Sequence, residues 1–102
     1  MDITTDGAVL ALHGDFDVRS TSEVRNAIYE SLRTRGEDVV VDMSDVDTVD
    51  LTALRVLAVA TLRANQGGHH LVLRGCGPAV RRMLHLSRLA RAVEVERHAA
   101  TA

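Results

Sequence analysis

Four sets of residues in this chain have the types and spacing to do chemistry. Thr52 is a lone hydroxyl two positions after Asp50, between a strand-like and a helix-like run. A hydroxyl there can cap the helix, accepting a backbone N–H two or three residues on. It can also receive a phosphate, which brings about −1.5 to −2 charge beside Asp50 and Asp47 while the helix amino terminus offsets part of the repulsion. Asp45-Val46-Asp47-Thr48-Val49 fits the Asp-x-Asp-x-Thr/Val pattern of haloacid-dehalogenase-type phosphatases, in which one carboxylate attacks phosphorus and the other serves as acid and base. Cys76, between Gly75 and Gly77 and just before Pro78, places a thiol near a helix start, where its pKa can fall. Five histidines complete the inventory: His13, His69, His70, His85 and His98.

Context narrows this list. The phosphatase pattern should follow its strand directly, but Met43-Ser44 intervene, the chain has no lysine to hold a phosphate, and 102 residues are too few for such an enzyme. The bland reading of Asp42, Asp45 and Asp47 is a solvated turn. The missing lysine also disfavours a receiver domain. No base accompanies Cys76, and a single cysteine excludes an internal disulfide and every multi-cysteine metal site. The histidines lack metal-ligand spacing, and His69-His70 reads as surface. No P-loop is present, so any ATP must come from a partner. We therefore expect a non-enzyme with no metal and no cofactor.

Composition supports a binding module. The chain holds one compact domain, 46% hydrophobic and 25% charged. Aromatic residues are only 2%, Phe16 and Tyr29, too few for a single-strand stacking platform. A net charge of −2 argues against a nucleic-acid binder. The charge is unevenly spread, with six acids and no base from Glu37 to Asp50, and a run of arginines in the last third that reads as the wet face of a helix. The segment MDITTDG has no apolar core of a signal peptide, and no apolar run reaches the roughly 18 residues of a membrane span, so a cytoplasmic protein without membrane insertion is expected.

The elements that position these residues alternate. Ile3–Thr5 and Ala8–His13 flank Asp6-Gly7 as a hairpin. Ser20-Thr21-Ser22-Glu23 fits a capping box before an amphipathic helix that ends near Gly36. Asp38–Met43 reads as a strand covered on both faces, because its β-branched run shows no polar alternation. An acidic turn follows, then a second helix from Leu51 or Thr52 to Gln66, stopped by Gly67-Gly68. His70–Arg74 is a strand, Pro78 to about Leu86 a third helix, and Ala92–Val95 a last short strand. The expectation is an α/β fold: a single domain over 1–97 with a mixed four- to five-stranded sheet, an N-terminal hairpin and helices packed against the sheet, followed by a loose tail over 98–102.

With Leu54 at the centre of a wheel turning about 100° per residue, Leu51, Leu57, Ala58, Thr61 and Leu62 fall in a broad stripe toward the sheet. Thr52, Arg55, Val56, Val59 and Arg63 fall opposite. Two valines on the solvent side, bracketed by arginines and sharing that side with a hydroxyl, have the composition of a small docking surface.

Here the chain resembles the STAS family, the sulfate transporter and anti-sigma factor antagonist domain, and in particular its stand-alone bacterial antagonists. Three motifs between about Ala8 and Val95 carry the resemblance: LHGDFD, similar to the family's L-x-G-x-LD start; VVVDMSDVDTVDLTALRVL, similar to its VVLDLSxVxFIDSSGLRVL core; and HLVLRGCGPAVRRMLHLSRL, similar to its ending. The resemblance implies partner switching in the control of transcription. The unmodified antagonist binds an anti-sigma factor kinase, frees the sigma factor, and is silenced when the kinase phosphorylates the hydroxyl residue of an Asp-Ser-Ser/Thr-Gly motif. Thr52 occupies that position after Asp50, with Leu51 in place of the usual serine and Ala53 in place of the usual glycine. Asp17 matches the aspartate ending the first motif, which by resemblance lies near the phosphosite; on its own it reads equally as a cap or turn former. The candidate site is thus Thr52 for phosphorylation, with Asp17, Asp50, Arg55, Val56, Val59 and Arg63 for partner binding. The alternative is an accessory subunit that docks a transporter ATPase without phosphorylation. The partner's identity and the oligomeric state stay open.

Overall fold

The hairpin forms where its turn residues predict it. In a computed structural model, which describes residues 1–96, β1 (Asp2–Asp6) runs antiparallel to β2 (Val9–Phe16), with Gly7 at φ 60° in the two-residue loop between the paired Asp6 and Val9. The chain continues through α1 (Thr21–Arg35), β3 (Val39–Val49), α2 (Leu51–Gln66), β4 (Leu71–Arg74), α3 (Pro78–Ser87) and β5 (Glu94–Val95). The five strands form one mixed sheet in sequence order, and every pairing after the hairpin is parallel. The described residues form a single α/β domain of five strands and three helices. The expected tail over 98–102, and the boundary at residue 97, lie outside the described residues.

One face of the sheet makes the core. Leu10, Leu12 and Phe16 of β2, Val39, Val41 and Met43 of β3, and Leu71 and Leu73 of β4 are buried together with Val24 and Ile28 of α1, Leu54 and Leu57 of α2, and Val80 and Leu84 of α3. The alternate positions Val40 and Val72 are only half-buried. The expectation of a strand covered on both faces is therefore corrected. β-branched residues suit any pleated strand surface, so an unbroken valine run does not by itself report two coverings.

The acidic turn is corrected as well. β3 does not stop at Met43 but runs on to Val49, and β2 runs with it to Phe16. Register shifts between Ala11 and His13 and between Gly14 and Asp15 bend the pair. Cross-strand contacts hold the acids: Asp15 Oδ1 accepts from the Thr48 hydroxyl at 2.8 Å, and His13 Nδ1 lies 3.0 Å from Asp45 Oδ2. Side chains pointing to an exposed strand surface need not be apolar, which is why the segment looked like a turn.

A local detail also differs from expectation. Ser20 precedes α1, but its hydroxyl turns back to the carbonyls of Asp15 and Asp17, so the capping box does not form. The left-handed residue after α2 is Gly68, at φ 81°, as the Gly67-Gly68 stop predicts. Gly75, at φ 70°, has space requirements of its own: a Cβ there would lie 3.0 Å from Ser44 Cβ, so the β4–α3 turn can press against β3 only without a side chain.

Candidate functional site

Asp50 joins the elements that meet at the site. It leaves β3 with extended backbone, at φ −107° and ψ 174°, and serves as the N-cap of α2, its Oδ1 accepting from the Ala53 N–H at 2.8 Å. Its Oδ2 accepts from the Val18 N–H at 3.1 Å. One carboxylate therefore ties the β2–α1 loop to the start of α2, and both of its oxygens are engaged within the chain. The cap being Asp50, Thr52 does not fill that role. Thr52 stands at the second helical position, exposed, and its hydroxyl has no hydrogen-bond partner among the described residues.

The wheel drawn from the sequence is rotated by roughly 60° from the packed one. α2 buries Ala53, Leu54, Leu57, Ala60, Thr61 and Ala64. Ala58 is half-buried, whereas Leu51 is 38% exposed and Leu62 57% exposed, against the expectation for both. Leucines weigh most on a wheel, but small alanines mark where a helix approaches its neighbours. On the other side Thr52, Arg55, Val59 and Arg63 face solvent as expected, whereas Val56, expected there too, is half-buried. Two exposed leucines enlarge that apolar surface.

Thr52, Arg55, Val56 and Val59 share a groove of about 270 Å³ with Arg25 and Tyr29 of α1. Sequence reading missed both α1 residues, because α1 was read for its inward stripe; their i, i+4 spacing on the second face was the available signal. Tyr29 also carries the Arg63 guanidinium, whose carbon lies 4.7 Å from the ring centre, and it lines a second depression toward Arg33 and His69. Val18, 63% exposed beside the Asp50 contact, was also missed; a single apolar residue in a loop has no periodicity to reveal it.

Asp17 reaches this region by its backbone rather than its carboxylate. It precedes Val18, while its side chain binds Arg19, with Nη2 to Oδ2 at 2.7 Å and the backbone N–H to Oδ1 at 2.9 Å. The Arg19 guanidinium and N–H hold the Asp17 carboxyl below the usual carboxylate range. That carboxylate lines a separate depression with His13, Asp15 and Ser20, not the groove of Thr52.

Several other chemistry-bearing residues are tied up elsewhere, and His98 lies outside the described residues. Cys76 is buried, and burial pushes its thiol pKa up, away from a reactive thiolate. Asp42 accepts from the hydroxyl and N–H of Ser44, which lower its pKa. His70 is held by Glu94 at 2.9 Å, which raises the imidazole pKa. Thr4, His13 and Asp45 form a cross-strand chain, with Thr4 Oγ1 3.1 Å from His13 Nε2, that links β1, β2 and β3. Among the described residues no group of three or more His, Cys, Asp or Glu side chains is placed to hold a metal ion, and no helix is long and apolar enough to cross a membrane.

The sequence matches one protein-family model, described as Mlab, STAS domain, over residues 1–95. No curated protein matches it. Among solved structures, a candidate anti-sigma factor antagonist from Thermotoga maritima superposes with a TM-score of 0.78 at 17% identity, covering 98% of this chain and 88% of that one. Moorella thermoacetica RsbS carrying a serine-to-glutamate substitution gives 0.73 at 25% identity, covering 93% and 84%. The anti-sigma factor antagonist SpoIIAA of Bacillus, solved in unphosphorylated and phosphorylated forms, gives 0.69 at 10% identity for the former, covering 98% and 90%.

Proposed function

This chain belongs to the STAS domain family, and from that membership we propose that it is an anti-sigma factor antagonist: a cytoplasmic, non-catalytic module that binds an anti-sigma kinase through the start and outer face of α2. Phosphorylation at Thr52 controls it. The observation that carries this reading is the state of the Thr52 hydroxyl, exposed at the head of α2 and without a bond among the described residues because Asp50 does the capping. The likeness to RsbS and SpoIIAA supports it. The kinase brings ATP; its γ-phosphoryl passes to Thr52 Oγ1, the hydroxyl proton leaves to a base of the kinase, and ADP departs. Unmodified, the exposed Val59 and Leu62, with Arg55 between them on the same side, contact the kinase.

Incubation with the cognate kinase and ATP tests this directly. Intact mass should rise by one phosphate for the wild type and not for Thr52→Ala. Modification at Ser44 or Thr48 with Thr52 untouched would sink the assignment.

A second reading rests on Leu51, exposed where the family pattern has serine, and on the fully buried Ala53 where it has glycine. An apolar, stiffer helix start suits docking to a transporter ATPase with no modification. In that case Thr52 stays unphosphorylated in cells, and Leu51→Ser weakens the complex.

A further inference from the structure

A phosphate on Thr52 would find two guanidinium groups waiting in its own chain. Arg25 projects from the second turn of α1 and Arg55 stands one turn on from Thr52; both line the groove that contains the Thr52 side chain, over Tyr29, Val56 and Val59. Five of the other arginines are occupied, and Arg33, Arg82, Arg88 and Arg91 do not line this groove. Arg19, Arg35 and Arg74 meet carboxylates, Arg63 covers Tyr29, and Arg81 donates to the Cys76 carbonyl. Arg25 and Arg55 are exposed and have no hydrogen-bond or ion-pair partner among the described residues. The nearest acid in sequence, Asp50, already has both oxygens engaged by the N–H groups of Ala53 and Val18.

We propose that phosphothreonine at position 52 is bound intramolecularly by Arg25 and Arg55, which fold over it and fill the α1–α2 groove. The inference rests on the phosphorylation reading above and names how that modification acts. Guanidinium groups match phosphate oxygens in paired, charge-assisted hydrogen bonds, and two of them on different helices can bracket one dianion. Adding charge alone would leave the groove open and its arginines available to a partner carboxylate. Bracketing withdraws both arginines and the apolar floor at once, so the modified surface is chemically closed. A glutamate at position 52, with two oxygens and one charge, cannot satisfy both arginines and is a weak mimic.

The test installs phosphothreonine at position 52 of the full chain by genetic code expansion, with no kinase involved, and follows its second ionisation by phosphorus NMR. In the urea-unfolded chain this pKa lies near 6. In the folded chain it should fall by about one unit, a tenfold shift in the proton equilibrium. Because the helix amino terminus also lowers it, the arginines decide: Arg25→Ala should return roughly half the shift, Arg25→Lys less, and Arg25→Ala with Arg55→Ala most of it, while Arg82→Ala on α3 should change nothing. Circular dichroism of each variant confirms folding, which exposed substitutions are expected to preserve. A folded-state pKa untouched by the double substitution would overturn the proposal. A kinase that ignores Thr52 would instead overturn the phosphorylation reading and leave this measurement standing.

Discussion

On its inner side α2 presents Ala53, Leu54, Leu57, Ala60, Thr61 and Ala64, all buried, whereas its outer side carries Leu51, Thr52, Arg55, Val59 and Leu62 in solvent. The inner side is explained by the fold. Its alanines allow close packing, its leucines fill the space under the sheet, and its one hydroxyl, Thr61, is satisfied by the Leu57 carbonyl at 2.8 Å. The outer side has no such account. Val59 and Leu62, each 57% exposed, add nothing to the core and sit with Arg55 on the side of the exposed Thr52. Apolar side chains on the side of a helix that the domain does not need are best explained by a partner.

Substitutions on the two sides should therefore fail differently. Leu57→Ala should cost about 2–5 kcal/mol of stability, because the side chain is fully buried and the cavity can collapse only in part. Thermal and urea melts will read it. Val59→Asp should shift stability by less than about 0.5 kcal/mol, yet cost on the order of 2 kcal/mol in binding to the proposed kinase partner, roughly a tenfold to thirtyfold weaker Kd by calorimetric titration. An unfolded Val59→Asp protein would erase the contrast, and a stable one with wild-type affinity would move the interface off α2.

Asp50→Ala tests the junction between the two sides. It removes the cap of α2 and leaves the Val18 N–H without its acceptor, so a loss of about 1 kcal/mol is expected, together with loosening of the 17–20 loop seen as faster amide hydrogen exchange at Val18. Retained protection there would show that the loop is held without Asp50.

The smallest effect lies far from α2. Glu94 raises the His70 pKa, so protonated His70 is favoured in the folded state. Its contribution is fully present below the unfolded histidine value of about 6.5 and is lost as pH rises through the raised folded value. Asp17 has the opposite sign: its contribution is present above about 3.9 and is lost as pH falls through its lowered value. Both groups are exposed, so we expect the signature in NMR titration curves. The His70 midpoint should drop in Glu94→Gln; an unmoved midpoint would remove the pair.

How much of this was legible differs from residue to residue. Asp6-Gly7, the inward periodicity of α1 and the alternation of strands and helices specify the α/β order directly, because turn chemistry and hydrophobic period are local properties. The position of Thr52 at the head of α2 and the exposure of Arg55, Val59 and Arg63 also followed from one period on one helix. The continuation of β3 through six further residues did not, because it is paired along β2, where His13 meets Asp45 and Asp15 meets Thr48, a partner about thirty residues away in the chain.

What the sequence determined by itself was the element order and a hydroxyl at a helix start; what only the tertiary structure decided was which neighbours reach it. Capping by Asp50 rather than Thr52, the tie to Val18, and the convergence of Arg25 and Tyr29 on the groove all depend on α1 packing beside α2. The physical reason is one of range. Backbone preferences and periodicity act within a few residues, whereas a groove exists only when two helices are brought together by a core they share, and no spacing along one chain segment records the other side of it.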